Sequence, residues 1–171
     1  MNFKTLPKII LFYHYLLLNV LFFTSESKLM YNCKNGFSKF GNNCFYLSTK
    51  TATWQEAYFE CKYLAKGSKL AVLYKEVDDH NIRKFLKYRH TEIKERWIGG
   101  LYDWNQDQWK WATSGRKIQY NHFEKIPYFD QNDKFMCMAI DPNINYKWTA
   151  RNCLEKNYFI CETKPQPECI V

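Results

Sequence analysis

"RWIGGLY" (residues 96–102) and "QWKWA" (residues 108–112) are short segments rich in aromatic and branched apolar residues, and a turn-forming stretch separates them. Segments of this length and composition, bounded by turn residues, are typical of β-strands. Three later segments have the same character: "FMCMAI" (135–140), "YKWT" (146–149) and "YFICE" (158–162). The second half of the chain therefore predicts a β-sheet.

Helical periodicity precedes these strands. Thr53 and Glu56 form a Thr-x-x-Glu capping box, and an apolar stripe with spacings of three and four follows it: Trp54, Ala57, Tyr58, Cys61 and Leu64. A second helix is predicted over Glu76–Tyr88, with Ile82, Phe85 and Leu86 facing inward and Arg83, Lys84 and Lys87 facing outward. Helices followed by strands indicate an α+β domain.

The N-terminal residues 1–27 are typical of a secretory signal peptide. Lys4 and Lys8 precede the apolar run 9–23, and small residues follow at Ser25 and Ser27. A membrane anchor is the alternative, but a spanning helix needs about 20 apolar residues. We therefore expect a secreted chain of residues 28–171.

The chain contains seven cysteines and carries a net charge of +8. In a secreted chain of this size, cysteines favour disulfides over metal binding. Cys33 and Cys44 flank turn residues between short aromatic stretches, which predicts a disulfide-stapled hairpin. Cys169 lies on a tail, residues 163–171, where Pro165 and Pro167 are expected to end regular structure. An exposed thiol there predicts a disulfide-linked dimer or a disulfide to a different chain, with a small thiol cap as the alternative.

Eight segments of the chain occur in the order typical of one family: "CKNGFSKFGNNCFYL", "TWQEAYFEC", "SKLAVL", "WIGGLYDW", "WKW", "CMAI", "KWTARNC" and "YFICE". Together they resemble a C-type lectin-like domain. The resemblance spans Cys33 to Glu162, and the sequence in this range is similar to that of secreted arthropod members of the family. It implies one long-form domain over residues 28–162 with two helices, antiparallel strands, a long irregular loop and three disulfides. It pairs Cys33 with Cys44, Cys61 with Cys161, and Cys137 with Cys153.

In sugar-binding members of this family, a calcium ion is held by carboxylates and amides on both sides of a loop proline, before the loop-closing cysteine, and after a strand tryptophan. The matching proline here is Pro127, and the matching tryptophan is Trp148. The ligand positions hold Ile126, Tyr128, Phe135, Thr149 and Ala150. Because calcium needs 6–8 oxygen ligands, we expect no calcium site of this kind and no cofactor. "DPNINY" (141–146) is a chance match to a calcium loop, because Tyr146 stands where glycine is needed.

The long segment between Ala112 and Phe135 lacks periodicity, which is typical of a functional loop. The expected function is recognition of a glycan or an extracellular protein through this loop. The residues expected to contact the ligand are Tyr128, Phe129, Asp130, Asn132, Asp133, Lys147 and Thr149. Two alternatives remain: a calcium-dependent lectin using displaced ligands such as Asp130 and Asp133, and a disulfide-linked interaction subunit. Innate-immune or venom-like roles are implied by the resemblance alone.

Other features of the surface and core leave further alternatives. The aromatic residues Tyr120, Phe123, Tyr128 and Phe129 either form a recognition surface or pack the loop onto the domain. Tryptophans 97, 109, 111 and 148 are expected in the core. Arg83, Lys84 and Lys87 belong to a basic cluster with Arg89, Lys94 and Arg96, which predicts either contact with anionic surfaces or a solvated helix face.

Neither an enzyme nor a nucleic-acid-binding protein is expected, because no nucleophile pair is free and no nucleic-acid-binding motif is present.

Overall fold

The computed structural model describes residues 13–15, 28–88, 93–125 and 135–170. Residues 13–15 are helical; the rest of the predicted signal peptide lies outside these ranges, and so does the middle of the long loop, 126–134. Within the described ranges, no helix combines the length and apolar character needed to cross a membrane.

The main helices and strands begin and end close to the predicted residues. The helices are α1 (Trp54–Leu64) and α2 (Glu76–Tyr88), and a short 3-10 helix covers Pro142–Ile144. The strands are β1 (Lys28–Asn32), β2 (Ser38–Phe40), β3 (Asn43–Leu47), β4 (Lys69–Leu70), β5 (Arg96–Asp103), β6 (Gln108–Trp111), β7 (Met136–Asp141), β8 (Lys147–Asn152), β9 (Tyr158–Thr163) and β10 (Gln166–Ile170). The α+β prediction is confirmed.

Eight strands form the principal sheet. The order is β2-β3-β9-β5-β7-β8, with β4 paired to β9 and β6 paired to β5. The central β5–β9 pair is parallel, with Arg96 opposite Tyr158 and Trp97 opposite Phe159, whereas the other registered pairs of this sheet are antiparallel. The expectation of antiparallel strands thus holds for the registered pairs of this sheet except the central β5–β9 pair.

Helix α1 begins with the predicted capping box. The Glu56 backbone N–H donates to Thr53 Oγ1 at 3.3 Å, and the Thr53 N–H donates to the Glu56 carboxylate at 2.8 Å. These bonds satisfy two backbone donors that a helix leaves unpaired at its N-terminus. The helix buries Trp54, Ala57 and Cys61, which holds it against the sheet.

The core around β5, β7 and β8 is closely packed. Trp97, Trp111 and Trp148 are fully buried, as predicted, whereas Trp109 is only half-buried at the edge of the core. Two glycines in β5 allow close approach of its neighbours. A Cβ on Gly100 would lie 2.8 Å from the side chain of Met138, so the packing between β5 and β7 requires glycine there.

The three disulfides implied by the family resemblance are present. Cys33 is bonded to Cys44, Cys61 to Cys161, and Cys137 to Cys153. They staple the N-terminal hairpin, tie α1 to β9, and join the start of β7 to the residue after β8. Such cross-links stabilise a domain mainly by restricting its unfolded chain, by about 2–4 kcal/mol each.

The C-terminal tail differs from its prediction. Among the described residues, 28–31 and 167–170 belong to a compact unit separate from the unit that runs from residue 32 to residue 166, and β1 and β10 pair as a two-stranded sheet. Regular structure is interrupted at Pro165, between β9 and β10, but Pro167 lies within β10, so the prediction that it ends regular structure is wrong. A proline lacks the N–H needed inside a sheet but is tolerated in a strand with an unpaired edge.

Candidate functional site at the long loop

The positions that would hold calcium in a sugar-binding relative carry no carboxylate. Phe135 is 66% exposed at the end of the long loop, and Thr149 and Ala150 are half-buried on β8. The other two positions, Ile126 and Tyr128, lie outside the described residues. In the part of the chain that the structure describes, no three histidine, cysteine, aspartate or glutamate side chains come together as a metal site.

A buried carboxylate lies beneath the start of the loop instead. Asp79, on α2, is fully buried. Its Oδ1 accepts a hydrogen bond from Trp148 Nε1 at 2.8 Å, and its Oδ2 accepts one from Arg83 Nε at 2.8 Å. The Tyr120 hydroxyl donates to the same Oδ2 at 3.3 Å. A buried charge is tolerated when it is paired and hydrogen-bonded, and this carboxylate joins α2, β8 and the loop.

His122 completes this network. Its Nδ1 lies 3.0 Å from the Tyr120 hydroxyl oxygen and 3.7 Å from Asp79 Oδ2. Burial lowers the pKa of His122, and the nearby Asp79 carboxylate opposes that change only in part. Burial, with the charge of Asp79, raises the pKa of Tyr120 to about 12. Near neutral pH, both groups are therefore uncharged, and Arg83 supplies the balancing charge for Asp79.

Backbone hydrogen bonds attach the segment 121–124 to β8. The Trp148 N–H donates to the His122 carbonyl at 3.0 Å, and the Glu124 N–H donates to the Trp148 carbonyl at 3.4 Å. Phe123 packs against Trp148 and Trp109, with ring centroids 5.8 and 5.1 Å away. For Tyr120 and Phe123, the packing alternative is thus correct, and protein contacts hold the start of the loop. Tyr128 and Phe129 lie outside the described residues.

Only two residues of the predicted ligand-binding set can be placed. Lys147 forms an ion pair with Glu124, and the Thr149 hydroxyl accepts a hydrogen bond from Arg151 Nη1 at 3.1 Å. Both side chains already have partners within the domain, so their role in ligand binding stays a prediction. The remaining five residues of the set lie outside the described ranges: Tyr128, Phe129, Asp130, Asn132 and Asp133.

The predicted basic cluster is dispersed. Arg83 faces inward to Asp79, so its assignment to the outer face of α2 is wrong; a buried carboxylate one helical turn earlier draws it in. Arg96 is also buried. Lys84 and Lys87 are exposed, but Lys87 Nζ donates to Asn145 Oδ1 at 2.8 Å. Arg89 lies outside the described residues.

The calcium-loop match at 141–146 is a turn. Asp141 Oδ1 accepts a hydrogen bond from the Asn143 N–H at 2.8 Å, which caps the short 3-10 helix. Asn145 and Tyr146 both have a φ of 60°. The Asp141 carboxylate also lies 3.5 Å from Arg151 Nη2, so its oxygens serve the turn and an ion pair.

An apolar cleft of about 640 Å³ opens where the long loop rejoins the sheet. Its walls include Trp54, Tyr102, Trp104, Phe135, Leu154 and the Cys137–Cys153 disulfide. Trp104, Phe135 and Leu154 are 38%, 66% and 72% exposed. Phe135 has a φ of 68°, a left-handed conformation that costs a bulky side chain free energy. Exposed apolar side chains around a concavity mark binding surfaces.

Sequence reasoning missed Asp79 and the cleft for different reasons. Asp79 precedes Ile82 and Leu86 by three and seven residues on the inner stripe of α2, and that spacing was the available signal. The cleft gathers residues from separate segments of the chain, and no local pattern connects them.

Comparison with known proteins agrees with this architecture. The Lectin C-type domain model matches residues 50–163. Snaclec B9 of Macrovipera lebetinus is 25% identical over 77% of this chain and 82% of its own. One chain of the snaclec coagulation factor IX/factor X-binding protein of Echis carinatus is 24% identical over 77% of this chain and 98% of its own.

A solved structure shows the same fold. Human lithostathine superposes with a TM-score of 0.65 at 20% identity, and the match covers 77% of this chain and 99% of that one. With the family model matching two thirds of the sequence, the chain belongs to the C-type lectin domain family.

Proposed function

We propose that this protein is a secreted recognition protein that binds a glycan or an extracellular protein at the long-loop face, without a calcium-bridged sugar site. The observation that carries the proposal is the apolar cleft at the loop end, where Phe135 occupies a position that holds a calcium ligand in sugar-binding relatives. An exposed aromatic side chain can bury a large apolar area on binding at a small cost in side-chain entropy. Three disulfides support an extracellular location, because they persist in oxidising compartments.

The packing of the loop supports binding without calcium. The contacts of Tyr120, His122 and Phe123 with Trp148 give the loop start its attachment to β8. No metal is needed for these contacts. A preformed site loses less conformational entropy when it binds than a site that must first be ordered.

The test uses protein secreted by cells that express the full chain. We expect binding on a glycan array to be equal in calcium and in chelator, and calcium at millimolar concentration to leave the melting temperature unchanged, because a ligand that binds only the folded state would raise it. Trp104→Ala and Phe135→Ala should weaken binding about tenfold or more. Tyr63→Ala is the matched control, since Tyr63 is 81% exposed but does not line the cleft.

Two results would change the proposal. Binding that requires calcium and is lost in Asp130→Ala or Asp133→Ala would establish the displaced-site lectin. Absence of bound glycans in both conditions would exclude the glycan class and leave a protein ligand; the relative from Echis carinatus is named for binding coagulation factors IX and X.

A further inference from the structure

A second concavity, of about 560 Å³, lies between the start of the long loop and the residues that precede α2. It is lined by Tyr74, Lys75, Trp111, Arg116, Lys117 and Gln119. None of these residues lines the apolar cleft. Its volume lies within the range of small-ligand sites, about 300–1,000 Å³.

A tight turn presents the basic residues of this pocket. The N–H groups of Ser114 and Gly115 donate to the Trp111 carbonyl at 3.2 and 2.8 Å, and the Trp111 N–H donates to the Arg116 carbonyl at 3.0 Å. Gly115 has a φ of +65°, which glycine adopts without strain. The backbone that carries Arg116 is therefore fixed by hydrogen bonds.

Tyr74, which also lines the pocket, is joined to the same turn. The Tyr74 hydroxyl donates to Ser114 Oγ at 3.2 Å, and the Tyr74 ring meets the Trp111 ring edge-on with centroids 6.0 Å apart. These contacts hold Tyr74 against the turn, and its neighbour Lys75 lines the same pocket as Arg116. The pocket thus has an aromatic floor and a basic rim.

The rim carries three positive charges and no acidic residue. Among the described residues, no ion pair involves Lys75, Arg116 or Lys117, although several other cations near the sheet have an acidic partner. The nearby Lys69 lies 5.9 Å from the Tyr74 ring but is paired with Glu162. A concave surface lined by one sign of charge concentrates the electric field and attracts an opposite charge.

The chemistry of the lining indicates the class of ligand. The arginine guanidinium binds a carboxylate or sulfate through two parallel hydrogen bonds, lysines add point charges, and the Gln119 amide can both donate to and accept from hydroxyl groups. The Tyr74 ring is 38% exposed and offers an apolar face for the C–H groups of a sugar ring. The carboxylates of an acidic peptide would satisfy the cations, but they would leave this ring uncovered unless the peptide also carried an apolar side chain at a matching position.

We propose that this pocket binds the charged groups of an anionic glycan, one that carries sulfate or uronate substituents. The proposal goes beyond the function assigned to the apolar cleft, because it concerns a different site with a different chemistry.

The test measures binding of the secreted full-length protein to immobilised heparin in chelator at several salt concentrations. We expect Arg116→Gln/Lys117→Gln to weaken binding about tenfold or more, since hydrogen bonds to charged groups are lost. The dependence of affinity on salt should also become less steep, because fewer counterions are released. The matched control is Lys84→Gln/Lys87→Gln, which removes the same charge from exposed positions on α2.

Equal losses in both double variants would show attraction by net charge alone and would overturn the proposal, as would a loss confined to the α2 variant. Polyglutamate that competes as well as heparin would assign the pocket to acidic peptides instead. Trp104→Ala should leave heparin binding unchanged, so a failure of the apolar-cleft proposal can be told from a failure of this one. Melting curves of each variant establish that it is folded.

Discussion

Replacement of Asp79 by alanine tests whether the buried network holds the long loop. The change leaves the fully buried Trp148 Nε1–H without its acceptor and the Arg83 guanidinium, 19% exposed, without its counter-charge. Breaking a buried ion pair from one side costs about 3–5 kcal/mol, and this range already includes the unpaired donors. We therefore expect a loss of about 4 kcal/mol in the free energy of unfolding. For a domain of this size, that loss corresponds to a fall in melting temperature of about 15 °C.

The assay is urea unfolding followed by tryptophan fluorescence, together with calorimetry. Asp78→Ala is the matched control on the same helix, because Asp78 accepts, from the residues that the structure describes, a single hydrogen bond, from the Lys75 backbone N–H at 3.1 Å. A bond of this capping type is worth about 1 kcal/mol. Limited proteolysis should cut Asp79→Ala, but not Asp78→Ala, near Tyr120 and His122. A loss in Asp79→Ala no larger than in the control would refute the assignment of the network as the anchor of the loop.

Three further changes have defined outcomes. Burial raises the pKa of Glu162 from 4.5 to about 7, although the charge of Lys69 acts in the opposite direction. As the pH rises, the carboxyl group therefore loses its proton in the unfolded chain before it does so in the folded protein. The contribution of Glu162 to the free energy of unfolding consequently declines between pH 4.5 and 7. Relative to wild type, the stability of Glu162→Gln in urea unfolding should rise by about 3 kcal/mol as the pH increases from 4.5 to about 7, and parallel pH profiles would contradict this. Gly100→Ala should lose about 1–3 kcal/mol by overpacking against Met138, and the double variant with Met138→Ala should lose less than the sum of the two single losses. Cys169→Ser should abolish a dimer seen on non-reducing gels of the secreted protein; a wild-type monomer would mean a capped thiol.

Local periodicity was enough to place the helices. The capping box at Thr53 predicts the start of α1, and the spacing of apolar residues predicts α2 over the same residues that the structure shows, Glu76–Tyr88. These signals lie within one or two helical turns of the residues they describe. Strands β5 to β9 were placed to within a few residues for the same reason, since their composition is local too.

The β10 strand was missed because its determinant is not local. Pro165 and Pro167 lower the strand propensity of the tail, yet β10 pairs with β1, which lies far earlier in the chain. Propensity describes the isolated segment, whereas a partner strand supplies the hydrogen bonds that outweigh it. The parallel β5–β9 pair was missed for the same reason, because its two strands lie far apart in the chain.

For the candidate sites, the sequence by itself determined the family, the disulfide pairing through that resemblance, and the replacement of the family's calcium ligands by Phe135, Thr149 and Ala150. Those conclusions depend only on which residue stands at which place. The tertiary structure alone decided that Arg83 faces the buried Asp79 and that Arg116 and Lys75 share a pocket while Phe135 borders a cleft. These are contacts between segments far apart in the chain, and they form only when the packing of the whole domain makes up for the cost of desolvating charge and ordering the loop.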